Sequence, residues 1–137
     1  MLTIDTDIWA HFLDSESPLH DKVVPPVEDA LKTQEIPINT VMVMEASHFL
    51  VKNLGPIQGA EKLATFLGFP FSAFDLDYRG ALDSVEMLKR YSHVGIGGRD
   101  ATILAMMRRL KMKRIMTHDG ALKKVDWLEA VDPAAQA

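Results

Sequence analysis

The chain has 137 residues, the size of one ordinary domain, and 47% of them are hydrophobic, so a packed core is expected and disorder is not. The formal net charge of -4, without an acidic or basic tail, argues against a protein that holds nucleic acid by bulk charge alone. The absence of cysteine excludes thiol catalysis, disulfides and cysteine zinc sites.

No segment has the pattern of a signal peptide or a transmembrane helix. The N-terminus lacks a basic region, and its apolar run is broken at Asp5. The most apolar window, residues 41–51, contains Glu45. We therefore expect a globular protein of the cytoplasm with no membrane partner, and the lack of cysteine fits that reducing compartment.

The first part of the chain predicts a strand followed by helices. Residues 2–4 are apolar and predict a short buried strand, and Thr6 or Asp7 can serve as the N-cap of the helix that follows. Pro25 and Pro26 are expected to end any preceding helix and to open another one through residue 32.

The middle of the chain predicts a second strand over residues 36–38. Asn39 or Thr40 can cap a long helix through residue 53, which Gly55 stops. Pro56 then opens a further helix that ends before Gly68.

The last part repeats the alternation of strand and helix. Residues 71–74 predict a strand, a helix ends near Tyr91, and another helix covers residues 99–110. Further strands are predicted at residues 114–116 and 127–131, with a short helix at residues 121–124 between them.

This alternation is typical of the α/β class, with a mostly parallel sheet of four to five strands and helices on both faces. We expect residues 1–132 to form this single domain and residues 133–137 to be a frayed tail. Ligands in such folds bind beyond the carboxyl ends of the strands. Asp5 and Asp119 each follow a predicted strand, so we expect both near that edge.

Four acidic residues are candidates for a site, and each also has a structural interpretation. Asp5 and Asp119 could equally cap the short helices that follow them. Asp100 comes just after Gly97 and Gly98 and, in the first turn of its helix, also suits the helix dipole.

Glu45 is the most informative of the four. Its helix is apolar nearly all round, so we expect that helix to be mostly buried. Burial of an isolated carboxylate costs roughly several kcal/mol unless a cation or hydrogen bonds compensate. The alternative is a glutamate at the helix edge, paired with a surface lysine such as Lys52.

Four converging carboxylates repel one another and raise each other's pKa. A hard divalent cation resolves that conflict, and ligands that are all oxygen atoms favour Mg²⁺ or Mn²⁺ over zinc or copper. The sequence therefore predicts a magnesium or manganese site, provided that the four acids meet in one pocket and none is held by a Lys or Arg.

The pattern as a whole resembles the PIN domain, and within it the VapC-like branch of ribonuclease toxins. The resemblance covers essentially the whole chain and rests on the segments LTIDTDIW, VMVMEASHF, GGRDATILAMMRR and RIMTHDGALKKV. It implies a three-layer α/β/α sandwich, endonucleolytic cleavage of RNA, a homodimer and an antitoxin partner. One departure is Ala121, where many members carry a further acidic residue.

The resemblance also implies roles for particular residues. An acidic quartet would bind Mg²⁺ or Mn²⁺, with Thr6 and Thr117 in support. The quartet is Asp5, Glu45, Asp100 and Asp119. Separately, Arg108, Arg109 and Lys111 could contact phosphate, although cations also suit the C-terminus of a helix.

Three competing interpretations remain open. An Asp-x-Asp phosphatase would use Asp5 as nucleophile and Asp7 as acid, although the chain is short for that family and has Trp9 where it wants Thr or Val. Glu45 and His48 have the spacing of a di-iron half-site, but no second copy exists in the sequence. A degenerate PIN fold could also be a scaffold that binds RNA or protein without catalysis.

Overall fold

The computed structural model describes residues 1–135. Its strands are β1 (Thr3–Ile4), β2 (Ile36–Asn39), β3 (Phe71–Phe74), β4 (Arg114–Met116) and β5 (Glu129–Val131). Its helices are α1 (Thr6–Leu13), α2 (His20–Thr33), α3 (Thr40–Leu67), α4 (Tyr78–Tyr91) and α5 (Gly98–Arg109). Short 3₁₀ turns cover Ser92–Val94 and Leu122–Lys124.

The five strands are all parallel, which confirms the predicted fold class. β1 pairs with β4 and β4 with β5, while β2 pairs with β3. The two ladders adjoin where the Leu2 amide donates to the Glu35 carbonyl at 3.0 Å. The alternation of strands and helices thus places the carboxyl ends of β1 and β4 side by side, followed directly by Asp5 and Thr117.

The helices form two groups around the sheet. α1 contacts α2 and α3, whereas α4 packs against α5. Trp9 in α1 is 1% exposed, and its ring centroid lies 5.3–5.9 Å from those of four phenylalanines. Those partners are Phe12, Phe66, Phe69 and Phe71. Trp9 therefore belongs to the core and is not available to stack on a ligand.

The proline pair does not interrupt its helix, contrary to prediction. α2 begins at His20 and continues through Pro25 and Pro26. Each proline lacks the amide that would bond four residues back. Val23 and Val27 flank the pair and are fully buried, so packing against the core offsets the lost hydrogen bonds.

α3 consists of two helical halves that meet at Gly55, as the sequence predicted. Gly55 has φ 82° and ψ 171°, a conformation that glycine adopts without a steric penalty. In the second half, a Cβ on Gly59 would lie 2.7 Å from the Leu50 carbonyl oxygen. Only glycine therefore allows the two halves to approach this closely.

The first half of α3 is less buried than predicted. Met44 is 68% exposed, Phe49 46% and Val51 40%, so apolar residues alone did not indicate burial. Met42, Ala46 and Leu50 form the buried stripe instead.

The end of the described chain is held at Asp132. The amide of Ala134 donates to Asp132 Oδ1 at 2.9 Å, Lys123 forms an ion pair with Oδ2, and His118 Nδ1 lies 2.8 Å from the same oxygen. Residues 136–137 of the predicted frayed tail lie outside the described residues. Within residues 1–135, none of the helices is both long and apolar enough to cross a bilayer.

Candidate functional site

An acidic cleft of about 390 Å³ lies beyond the carboxyl ends of β1 and β4, and we call it the acid cleft. Its polar lining includes all four acids that the sequence singled out. The lining residues are Asp5, Thr6, Asp7, Glu45, Gly95, Gly97, Gly98, Arg99, Asp100 and Asp119.

Asp5 is fixed by the sheet and by the helix that follows. Its amide donates to the Met116 carbonyl at 2.9 Å, which extends the β1–β4 ladder by one residue. It is the N-cap of α1, as its structural interpretation predicted and in place of Thr6 or Asp7, and its Oδ1 accepts from the Thr6 amide at 2.7 Å. Only 4% of Asp5 is exposed. The helix cap uses Oδ1, so capping does not account for Oδ2, the second oxygen of this buried carboxylate.

Thr117 links two of the predicted acids. Its side chain is fully buried, and its hydroxyl donates to Asp5 Oδ2 at 2.8 Å. The hydroxyl oxygen of Thr117 also accepts a hydrogen bond from the Asp119 amide at 3.0 Å. Asp119 Oδ1 in turn accepts from the Ala121 amide at 2.8 Å, so Asp119 also stabilises the turn that follows it.

Burial and mutual repulsion strongly raise the pKa values of two acids in the cleft. Burial, reinforced by the negative charge of Asp7, raises the pKa of Asp5 to about 8. Burial and the neighbouring Asp119 raise the pKa of Asp100 to about 7. Asp100 lies in the first turn of α5, whose N-cap Gly97 offers no side-chain cap, and the positive helix end does not outweigh these effects.

Asp7 belongs to the acid cleft, although the nuclease interpretation of the sequence left it out. Burial raises its pKa, and its Oδ2 accepts from the His118 amide at 3.3 Å. Its Oδ1 is buried without a hydrogen-bond partner among residues 1–135. The signal was present in the sequence, since Asp7 follows Asp5 by two positions in the Asp-Thr-Asp stretch.

Glu45 is paired with Arg99 and not with Lys52, so the condition that no acid of the quartet is held by a Lys or Arg is not met. Its Oε2 lies 3.0 Å from Nε of Arg99, and its Oε1 accepts a hydrogen bond from the Thr6 hydroxyl. The side chain of Glu45 is 20% exposed and that of Arg99 72%. An ion pair with so exposed a partner contributes little net stability, so other charges can displace it. Sequence reasoning missed Arg99, although it directly precedes Asp100.

The chemistry of the lining fits a hard divalent cation. Its acidic donors are all oxygen atoms, Asp7 Oδ1 lacks a partner, and the raised pKa values of Asp5 and Asp100 show that positive charge is in short supply. As the side chains are oriented, no three His, Asp or Glu groups among residues 1–135 are close enough to share one ion. A cation held by three of these groups would therefore require side chains to rotate.

The three basic residues predicted to contact phosphate lie away from the acid cleft. Arg108, Arg109 and Lys111 are exposed at the C-terminal end of α5, whereas Asp100 is at its N-terminal end. Nine residues of helix separate Asp100 from Arg109, roughly 14 Å. Arg109 also lies 3.4 Å from Asp83 in a surface ion pair.

Comparison with solved structures finds the same fold in bacterial toxins and their complexes. Over 94% of this chain and 98% of the other, the chain is 17% identical to Mycobacterium tuberculosis VapC20, a sarcin-ricin loop cleaving toxin, with a TM-score of 0.78. It is 18% identical to a chain of Rickettsia felis VapBC2 bound to promoter DNA (96% and 97% covered, TM-score 0.74). It is 17% identical to a chain of FitAcB from Neisseria gonorrhoeae (99% and 100% covered, TM-score 0.73).

A search of curated protein sequences gives no match. The family model of the PIN domain, in contrast, matches residues 2–128, which is nearly the whole chain and includes every acid of the cleft. The α/β fold, its parallel sheet and this match agree, and the chain belongs to the PIN domain family.

Proposed function

We propose that the protein is a Mg²⁺- or Mn²⁺-dependent endoribonuclease and the toxin of a toxin–antitoxin pair. The observation that carries this proposal is the acid cleft, where buried and half-buried carboxylates from distant parts of the chain lie together, all ligands are oxygen atoms, and the pKa values of Asp5 and Asp100 are raised. Such an arrangement is costly for folding unless it serves a bound cation.

The proposed metal ligands are the quartet Asp5, Glu45, Asp100 and Asp119. A divalent ion held there supplies an acidified water as nucleophile and neutralises the charge that develops on a phosphodiester. Asp5 and Asp100 are the two acids of the quartet whose pKa burial raises, so we assign them to direct or water-mediated binding. Glu45 and Asp119 complete the set or orient the water.

The supporting threonines hold these groups in place. Thr117 orients Asp5 through its hydroxyl proton and Asp119 through its hydroxyl oxygen. Thr6 donates its hydroxyl proton to Glu45. The carboxylates of Asp5 and Glu45 and the backbone amide of Asp119 are therefore each held by one of two hydroxyl groups.

The proposed partners follow from the family and from the similar structures. VapC20 is described as a toxin that cleaves the sarcin-ricin loop, and the VapBC2 structure is a complex on promoter DNA. We propose by analogy an RNA substrate, an antitoxin protein, a homodimer and a cytoplasmic location for this chain.

The test is cleavage of a panel of structured RNAs. The wild type is assayed with Mg²⁺ and with EDTA, and the Asp5→Asn variant is assayed with Mg²⁺. Asparagine keeps the size of the side chain and can still accept from the Thr6 amide. Asp83→Asn is the matched control, because Asp83 is an acid outside the acid cleft, paired with Arg109. We expect cleavage only with metal, its loss in Asp5→Asn by at least about a hundredfold, and no change in Asp83→Asn. Undiminished cleavage by Asp5→Asn would refute the mechanism.

The Glu45–Arg99 ion pair supports a second candidate, a PIN fold that binds RNA or protein without catalysis. If Arg99 neutralised Glu45 permanently, the negative charge of Glu45 would not be free to bind a metal ion. Calorimetric titration with Mn²⁺ separates the two candidates. Binding at millimolar concentration or tighter supports the nuclease, and its absence supports the scaffold. Hydrolysis of a generic aryl phosphate by the wild type would instead favour the phosphatase alternative.

A further inference from the structure

A second groove, of about 610 Å³, opens from the acid cleft along the first half of α3, and we call it the side groove. It shares Thr6, Asp7, Glu45 and Arg99 with the acid cleft, so the two are continuous. The rest of its lining comes from one face of α3. Those residues are Val41, Met44, His48, Phe49, Lys52 and Asn53.

The floor of the side groove is unusually apolar for an accessible surface. Met44 is 68% exposed and Phe49 46%, and they lie five residues apart on the same helix. An exposed aromatic ring beside a polar site is a platform on which a base can stack. Phe49 lies one helical turn beyond Glu45, and Met44 immediately precedes Glu45.

The rim of the side groove is cationic. Arg99 stands at the junction with the acid cleft, and Lys52 follows along α3. Both negative lining groups, Asp7 and Glu45, lie at the inner end, which the two cavities share. The groove therefore combines an apolar floor with two cations, Arg99 and Lys52, beside the acids, which is the composition of sites for single-stranded nucleic acid.

We propose that the side groove binds an unpaired nucleotide next to the phosphodiester that the acid cleft would cleave. Phe49 and Met44 hold the base, Lys52 contacts the flanking phosphate, and Arg99 moves from Glu45 to the phosphate at the junction. This assignment of a nucleotide subsite rests on the proposed ribonuclease function. The subsite takes only an unpaired nucleotide, because a base in a duplex is not free to stack on a side chain.

The test is binding of a short fluorescein-labelled oligouridylate to the full chain in EDTA, measured by fluorescence anisotropy. Phe49→Ala is expected to weaken binding about tenfold. Lys52→Gln is expected to weaken binding as well and to reduce the slope of log affinity against log salt concentration by about 1. Ile57→Ala is the matched control, because Ile57 is 79% exposed on α3 but lies outside the side groove. Binding of a fully paired RNA should be the same for Phe49→Ala and the wild type.

Two results would overturn the proposal. One is equal binding of oligouridylate by Phe49→Ala, Ile57→Ala and the wild type. The other is a Phe49→Ala variant whose mass by light scattering changes while its RNA affinity does not, since the groove would then be a protein interface. Wild-type protein that binds oligouridylate through Phe49 but cleaves no RNA supports the groove and contradicts the nuclease. Cleavage that Phe49→Ala leaves unaltered in rate and affinity supports the nuclease and contradicts the groove.

Discussion

The hydroxyl of Thr117 donates a hydrogen bond to the Asp5 carboxylate at 2.8 Å, although the two residues are 112 positions apart in the chain. Both directly follow parallel, paired strands, so the sheet register alone sets them side by side. The contact is fully buried, and the same hydroxyl oxygen accepts from the Asp119 amide. One side chain thus couples the ends of β1 and β4 at the proposed metal site.

We expect Thr117→Val to destabilise the protein by about 1–3 kcal/mol, because it leaves a buried carboxyl oxygen and a buried amide without a partner. Thr117→Ser keeps the hydroxyl and is the control, with a cost set only by the lost methyl group. Urea unfolding measures both, and Mn²⁺ titration should show weaker binding only in Thr117→Val. Equal stability of the valine and serine variants would contradict this role of the hydroxyl.

The raised pKa of Asp5 makes the metal-free protein less stable as the pH increases. The folded state holds a proton on Asp5 up to about pH 8, whereas the unfolded chain releases it near 3.8. The stabilising effect is therefore complete below about pH 4 and is lost as the pH approaches 8. Asp100, with a pKa of about 7, acts in the same direction.

Thermal unfolding in EDTA across this pH range measures the loss, and one pKa unit corresponds to about 1.4 kcal/mol. The melting temperature of the wild type should fall more steeply with pH than that of Asp5→Asn. Added Mg²⁺ should raise the melting temperature more at the alkaline end, because binding requires the ionised carboxylates. A wild-type curve parallel to that of Asp5→Asn would contradict the shift.

Arg99 is expected to oppose metal binding while it assists RNA binding. Arg99→Gln removes the cation that lies 3.0 Å from Glu45, so Mn²⁺ affinity should rise several-fold. The affinity for oligouridylate should fall in the same variant. Arg79→Gln, which changes an exposed arginine outside both cavities, should alter neither. Reduced Mn²⁺ affinity in Arg99→Gln, measured by calorimetry, would contradict the competition.

Gly59 allows the close contact of the two halves of α3. A methyl group there would lie 2.7 Å from the Leu50 carbonyl oxygen and 2.8 Å from Val51 Cα, so the helices must separate. We expect Gly59→Ala to cost about 1–3 kcal/mol in urea unfolding, despite the better helix propensity of alanine. Gly120→Ala is the control, since a methyl group there meets nothing within 4 Å. A neutral Gly59→Ala would show that the helices adjust freely.

Local chemistry explains why much of the fold could be predicted. Asn39 caps α3 by accepting from the Met42 amide at 2.8 Å, and Gly55 breaks that helix, as their residue types predict. The errors arose where distant contacts decide. Pro25 and Pro26 remain inside α2 because Val23 and Val27 are buried, which no local rule detects.

The site was predictable to a similar degree. Strand ends placed Asp5 and Asp119 correctly in the cleft. Glu45 also lines the cleft, but the expectation that its helix is mostly buried was wrong. Asp7 and Arg99 were missed because their importance depends on which neighbours reach them. The orphaned oxygen of Asp7 and the ion pair of Arg99 exist only in the folded molecule.

The most direct test of the central claim is a crystal structure of the protein soaked in Mn²⁺, with anomalous scattering used to locate the ion. We expect an anomalous peak in the acid cleft, bound by carboxylate oxygens of Asp5 and Asp100, with Glu45 turned away from Arg99. A cleft without a peak, or a peak bound only by residues elsewhere, would show that these acids do not meet to hold a metal.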